Sequence, residues 1–149
     1  MKKFQFSMQK ILDLKQNVLD AEKNRLGQLQ GRRRQLEDEI AALNRASCDI
    51  AMEMRDAQAT GVTIAELMGF NARRSNIRLQ LEDLAKKRAD IQKNIEKQTL
   101  VVVEASREVS KFEKIEERQL EIYRETEKKA EAARIEDMIV TNVTRRSAV

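Results

Sequence analysis

The sequence predicts an all-α fold: a long two-helix antiparallel coiled-coil hairpin, with its turn near 58–63 and a C-terminal helix that overhangs the first. Three observations predict it. Apolar residues recur at alternating steps of four and three in two long series, and the only lapse between them lies around Gly61. The 149 residues also include no Pro, no Trp and only four Gly, with 3% aromatic residues. A repeat averaging 3.5 residues, kept up over several heptads with charges between, is a coiled-coil seam. Its narrowness argues against a helix of a globular core, which shows a wider apolar stripe. With so few aromatic side chains to fill a wide core, one elongated domain over 1–149 is expected.

The first helix is expected over about 4–58. Its seam positions are Met8, Leu12, Lys15, Leu19, Glu22, Leu26, Leu29, Arg33, Leu36, Ile40, Leu43, Ser47, Ile50, Met54 and Ala57. A turn follows at 59–63. Thr63 and Glu66 form a capping box, in which a hydroxyl and a carboxylate each satisfy a backbone N–H left free at a helix start, and Val62 and Leu67 fall at the positions of a hydrophobic staple. Gly61 can take the left-handed conformation that commonly ends a helix. The second helix is expected over about 64–140. Its seam reads Leu67, Phe70, Arg74, Ile77, Leu81, Leu84, Arg88, Ile91, Ile95, Gln98, Val102, Ala105, Val109 and Phe112.

So short a link makes neighbouring helices antiparallel. Met54 then faces Leu67, Ile40 faces Leu81, Leu26 faces Ile95 and Met8 faces Phe112, within a few residues. Each arm of some 50 residues spans roughly 75 Å at about 1.5 Å per residue. Glu22 falls near Gln98, a hydrogen-bonded layer. Arg33 falls near Arg88, where like charges repel unless their stems lead outward to Glu37, Asp38 or Asp90. In this register residues beyond about Ile115 have no partner within the hairpin, and the stepping degrades past Phe112. A tail at 141–149 is expected to fray, because Thr141, Thr144, Arg145, Arg146 and Ser147 offer poor helix chemistry. The overhang reads equally as disorder or as a helix ordered by a partner.

Composition limits the function. Lys and Arg number 29 against 25 Asp and Glu, so the net charge of +4 is a small difference between large totals. Such a surface, 36% charged, is a solvated, salt-bridged one more than a nucleic-acid footprint. The runs Arg32–Arg34 and Arg73, Arg74 and Arg78 read first as solvated faces and second as phosphate contacts, with no aromatic interleaving for base stacking. Without any His, without a Gly-rich phosphate loop and with a single cysteine, Cys48, the chain offers no acid-base pair, zinc ligand set or internal disulfide. A non-enzyme with no cofactor and no metal is expected. The first residues carry no apolar stretch of signal-peptide length, and no run is long enough to span a membrane. Gly27 and Gly31 read as a tolerated weak spot or as a close approach by another chain. Val101–Val103 put apolar bulk both on and off the seam, and Phe4 and Phe6 stand at the open end, free to pack over 112–115 or to insert into a partner.

Three segments carry a family resemblance. Phe4, Gln5, Phe6, Ser7, Met8, Gln9, Lys10, Ile11 and Leu12 resemble the opening F-x-F-S/P-L-Q-K-hydrophobic-Leu of the FliJ family, coiled-coil components of the flagellar type III export apparatus, with Met8 in place of Leu. Gly61, Val62, Thr63, Ala65, Glu66 and Leu67 are similar to that family's turn. Phe112, Glu113, Lys114, Ile115, Glu117 and Tyr123 are similar to a third segment. The resemblance implies a stalk-like coupler that docks into the ring of the export ATPase FliI, contacts the export gate protein FlhA and takes part in handling export chaperones. By position, Phe4, Phe6, Gln9, Lys10, Phe112, Lys114, Arg118 and Gln119 at the open end would face the ATPase. Phe70, Arg73 and Ile77, near the turn, would face the gate. The implied location is cytoplasmic, peripheral to the inner membrane through the apparatus, and the free chain is expected to be a monomer. A virulence-type secretion stalk, a generic parallel coiled-coil scaffold and a nucleic-acid binder stay open as alternatives.

Overall fold

The computed structural model describes residues 2–148, and its regular structure is α1 (Gln9–Thr60) and α2 (Ile64–Ser147), with no strand among the described residues. The helices pack against each other as an antiparallel coiled-coil hairpin. Every position of the first predicted seam is buried or half-buried, including the polar Lys15, Glu22, Arg33 and Ser47. In the second seam only Arg74 and Arg88 are exposed. Leu12, Leu36, Ile50, Leu84, Ile95 and Val109 are the deepest aliphatic residues. Each such side chain contributes on the order of 1.5–3 kcal/mol by leaving water.

The turn is built by local chemistry. Gly61 adopts φ 98°, the left-handed region that a side chain would strain. Thr63 N–H donates to Glu66 Oε2 at 3.1 Å, and Glu66 N–H donates to Thr63 Oγ1 at 3.2 Å. Two of the free donors at the start of α2 are thereby satisfied. α1 runs two residues past the expected 58, because Thr60 Oγ1 reaches back to the carbonyls of Ala57 (3.2 Å) and Asp56 (3.4 Å). The link contracts to Gly61–Thr63.

Both outer helix ends differ from expectation. α1 begins at Gln9 rather than near residue 4: Phe6 C=O accepts the Gln9 N–H at 3.1 Å, and the first helical bond runs from Leu12 N–H to Met8 C=O at 3.0 Å. α2 continues to Ser147 instead of fraying after 140. The hydroxyls of Thr141, Thr144 and Ser147 fold onto the carbonyls one turn back, at 2.7, 2.9 and 2.8 Å, so they add to the helical bonding without replacing it. Val149 of the expected tail lies outside the described residues.

The chain falls into two compact units. In the turn unit, Ala21–Val103, the buried Gln98 donates to the Glu22 carboxylate and, at 3.1 Å, to the Glu22 carbonyl. This is the polar layer that the seam implies. Arg33 does not meet Arg88. Its Nη1 donates to Gln92 Oε1 at 3.1 Å, its Nε lies 3.8 Å from Glu37, and Arg88 is exposed. The like-charge conflict is avoided because the Arg33 side chain reaches one helical turn along α2 to a neutral acceptor, and Arg88 points to solvent.

The terminal unit combines Met1–Asp20 with Glu104–Val149. Phe6, Leu12 and Val109 form its buried cluster, flanked by Phe4, Met8, Leu19 and Phe112. The Phe4 ring lies 5.5 Å from that of Tyr123, and the Tyr123 hydroxyl sits against the Lys2 carbonyl and 2.6 Å from Glu127 Oε1. Partners within the hairpin therefore extend well past Ile115, contrary to the helical register. The reason is geometric: a non-helical strand of chain can advance roughly 3.3 Å per residue, against about 1.5 Å in a helix. The few residues before α1 thus reach far along α2, where Glu116, Gln119, Leu120, Tyr123 and Glu127 are half-buried. From Lys128 to Ala148 every residue is exposed, and this is the overhang.

Candidate functional site

A coiled coil positions its surface residues by heptad place, so function is sought in what the seam leaves outside. In the terminal unit, the seam and the N-terminal strap divide the eight expected contact residues into two kinds. Phe6 is buried at 7% exposure, and Phe4, Phe112 and Gln119 are half-buried. These four hold the unit together and are not a free aromatic tip. Gln9, Lys10, Lys114 and Arg118 are exposed, with Gln9 Nε2 donating to Asp13 Oδ1 at 2.9 Å. Among the described residues no carboxylate lies within ion-pair distance of Lys10, Lys114 or Arg118. Their charge is available to an incoming surface.

Beside them Glu108 joins two cations, Lys111 Nζ at 2.7 Å and Lys15 Nζ at 3.7 Å. The Lys111 hydrogen bond, and then its charge, hold the Glu108 carboxyl below the usual range, with Lys15 adding to the effect. Lys111 is raised in turn, first by its hydrogen bond to Glu108. Tyr123 is raised above the ordinary phenol value, chiefly by its hydrogen bond to Glu127. Sequence reasoning did not foresee the strap contacts of Lys2 and Tyr123. Their one visible signal was that Tyr123 continues the four-three stepping beyond Phe112.

In the turn unit, Phe70 and Ile77 are half-buried in the seam, and Arg73 is exposed and pairs with Glu53 at 3.2 Å. Ile77 also lines a shallow groove with Ser47, Asn71, Arg74, Ser75 and Arg78. The structure thus places Phe70, Arg73 and Ile77 on neighbouring turns of one helix, with only Arg73 fully presented to solvent.

The chain has no His, and among the described residues no group of three or more Cys, Asp or Glu side chains is placed to hold a metal ion. No helix among the described residues is long and apolar enough to cross a membrane. No curated protein and no solved structure matches the chain. A family model described as Flagellar FliJ protein matches residues 4–147, from the strap through the turn to the last turn of α2. The chain therefore belongs to the flagellar FliJ protein family, whose members are non-catalytic components of the flagellar protein-export apparatus.

Proposed function

We propose that the protein is a coupling stalk of the flagellar type III export apparatus, whose terminal unit docks into the ring of the export ATPase FliI. The observation that carries this reading is the set of unpaired, exposed cations Lys10, Lys114 and Arg118 beside an overhanging helix exposed from Lys128 to Ala148. Such a surface suits insertion into a partner with acidic walls, since complementary charge steers encounter and fixes orientation. Packed helices resist bending better than a single helix, as a stalk requires. The turn-proximal residues Phe70, Arg73 and Ile77 contact the export gate protein FlhA in this reading, and export chaperones are further partners. The protein is then peripheral to the cytoplasmic face of the inner membrane.

Full-length protein carrying Lys10→Glu, Lys114→Glu and Arg118→Glu should keep its helicity by circular dichroism and lose FliI binding on the order of tenfold or more, with a reduced salt dependence. Undiminished binding to purified FliI would remove the terminal unit from the ATPase contact.

A further inference from the structure

One flank of the terminal unit is apolar where the other is not. In α1 the seam residues Leu12, Lys15 and Leu19 are each preceded by an aliphatic residue, and these three, Ile11, Leu14 and Val18, remain 44%, 61% and 45% exposed. In α2 the seam residue Glu116 is preceded by Ile115, itself 37% exposed. Helical geometry puts residues one before the seam on one side of it and residues one after on the other. In an antiparallel pair the two preceding sides adjoin. Glu108 marks that junction, standing one before Val109 and reaching across to Lys15.

The opposite flank is built from the residues that follow the seam: Asp13, Gln16 and Asp20 in α1, and Ser110, Glu113 and Glu117 in α2, all exposed. None of these six is aliphatic, and four are carboxylates. The aliphatic flank instead carries Lys111 and Arg118, with Lys10 and Lys114 at its outer border, and both of its acids are already engaged, Glu108 by two lysines and Glu104 by Arg107 at 3.8 Å. Leaving three aliphatic side chains in water at a spacing of three and four forgoes stabilisation that a third helix would recover.

We propose that this flank binds an amphipathic α-helix of another protein, one whose apolar stripe is bordered by acidic residues, in a local three-helix packing. The spacing of Ile11, Leu14 and Val18 selects a helix as the partner, because it repeats the step of a coiled-coil seam. The basic border selects acidic neighbours. A second copy would have to present its overhang, where Ile135, Met138, Ile139 and Val143 are exposed, and concentration-dependent association of the chain alone, lost in Leu14 and Val18 variants, would assign the flank to it instead. Docking of the export ATPase is a separate matter: Lys10, Lys114 and Arg118 serve both surfaces, whereas Leu14 and Val18 belong to this flank alone.

The probe is a labelled synthetic peptide of three heptads with Leu at the seam positions and Glu at the borders, titrated with the full-length chain and followed by fluorescence anisotropy. It should bind, bind less as salt rises, and bind about tenfold more weakly to Leu14→Asp, Val18→Asp protein of unchanged helicity. Asp13→Asn, Glu113→Gln protein, altered on the other flank, should bind as the parent does. If the Asp pair lowers helicity, Leu14→Gln, Val18→Gln replaces it with the same expectation. Absence of binding, equal binding of a Lys-bordered peptide, or undiminished binding to the Leu14, Val18 variants would overturn the proposal. Loss of duplex-DNA binding in those variants, with no peptide effect, would assign the flank to nucleic acid instead.

Discussion

Tyr123 is the only tyrosine of the chain, and there is no tryptophan, so its ultraviolet absorbance reports one site. Its single hydroxyl proton lies between two acceptors, the Lys2 carbonyl of the strap and the Glu127 carboxylate, and the Glu127 hydrogen bond opposes its ionisation. The folded phenol binds its proton more tightly than the unfolded one. Its contribution to stability is therefore complete below the ordinary tyrosine value, ~10, and is lost as pH rises through the higher folded value. Spectrophotometric titration should place ionisation above that of a free tyrosine, and Glu127→Gln should bring it down toward it. An unshifted titration in the parent protein would mean that the contact is not held in solution. At this scale the sequence was least informative, because a strap of irregular backbone has no periodicity to read. Arg33 shows the same limit from within the seam: its position was legible, but its neighbour, Gln92 rather than Arg88, depends on how far its side chain reaches along α2, which stepping alone does not fix.

The elements themselves were legible where a physical rule is short-range. Thr63 and Glu66, with Gly61 before them, located the start of α2 because each acts on backbone groups within one turn. The outer ends were not: α1 yields before Gln9 to a strap held by tertiary contact, whereas α2 persists to Ser147 as an exposed helix whose Thr141, Thr144 and Ser147 hydroxyls bond carbonyls one turn back. The glycines of α1 are a further case. Gly27 and Gly31 read as either a weak spot or a close approach, and a Cβ added at either meets nothing within 4 Å. The paired replacement Gly27→Ala, Gly31→Ala should therefore stabilise the protein by up to about 2 kcal/mol, seen as a higher denaturation midpoint with an unchanged m-value. Destabilisation would show that these glycines serve the native backbone in some other way.

For the molecule as a whole, the fold class followed from one repeat because a 3.5-residue period has few other solutions. The cross-helix contacts Lys15–Glu108 and Glu22–Gln98 keep close to the register set by the short turn. The candidate surfaces were half legible. Phe4 and Phe6 read either as packing over 112–115 or as inserting into a partner, and the first is what the terminal unit shows. What the family match adds is the setting, the flagellar export apparatus, which no residue pattern could supply by physics alone. The central claim is that the two seams belong to one chain folded back on itself. Spin labels at the exposed positions 25 and 94, each one before its seam residue and so on the same flank of the pair, close to the Glu22–Gln98 layer and with the exposed Cys48 replaced by Ser, test it most directly. Packed helices lie about 8–10 Å apart, so a single short label separation is expected, unchanged when labelled protein is diluted with unlabelled chain. A long separation, or a short one that vanishes on dilution, would contradict the hairpin.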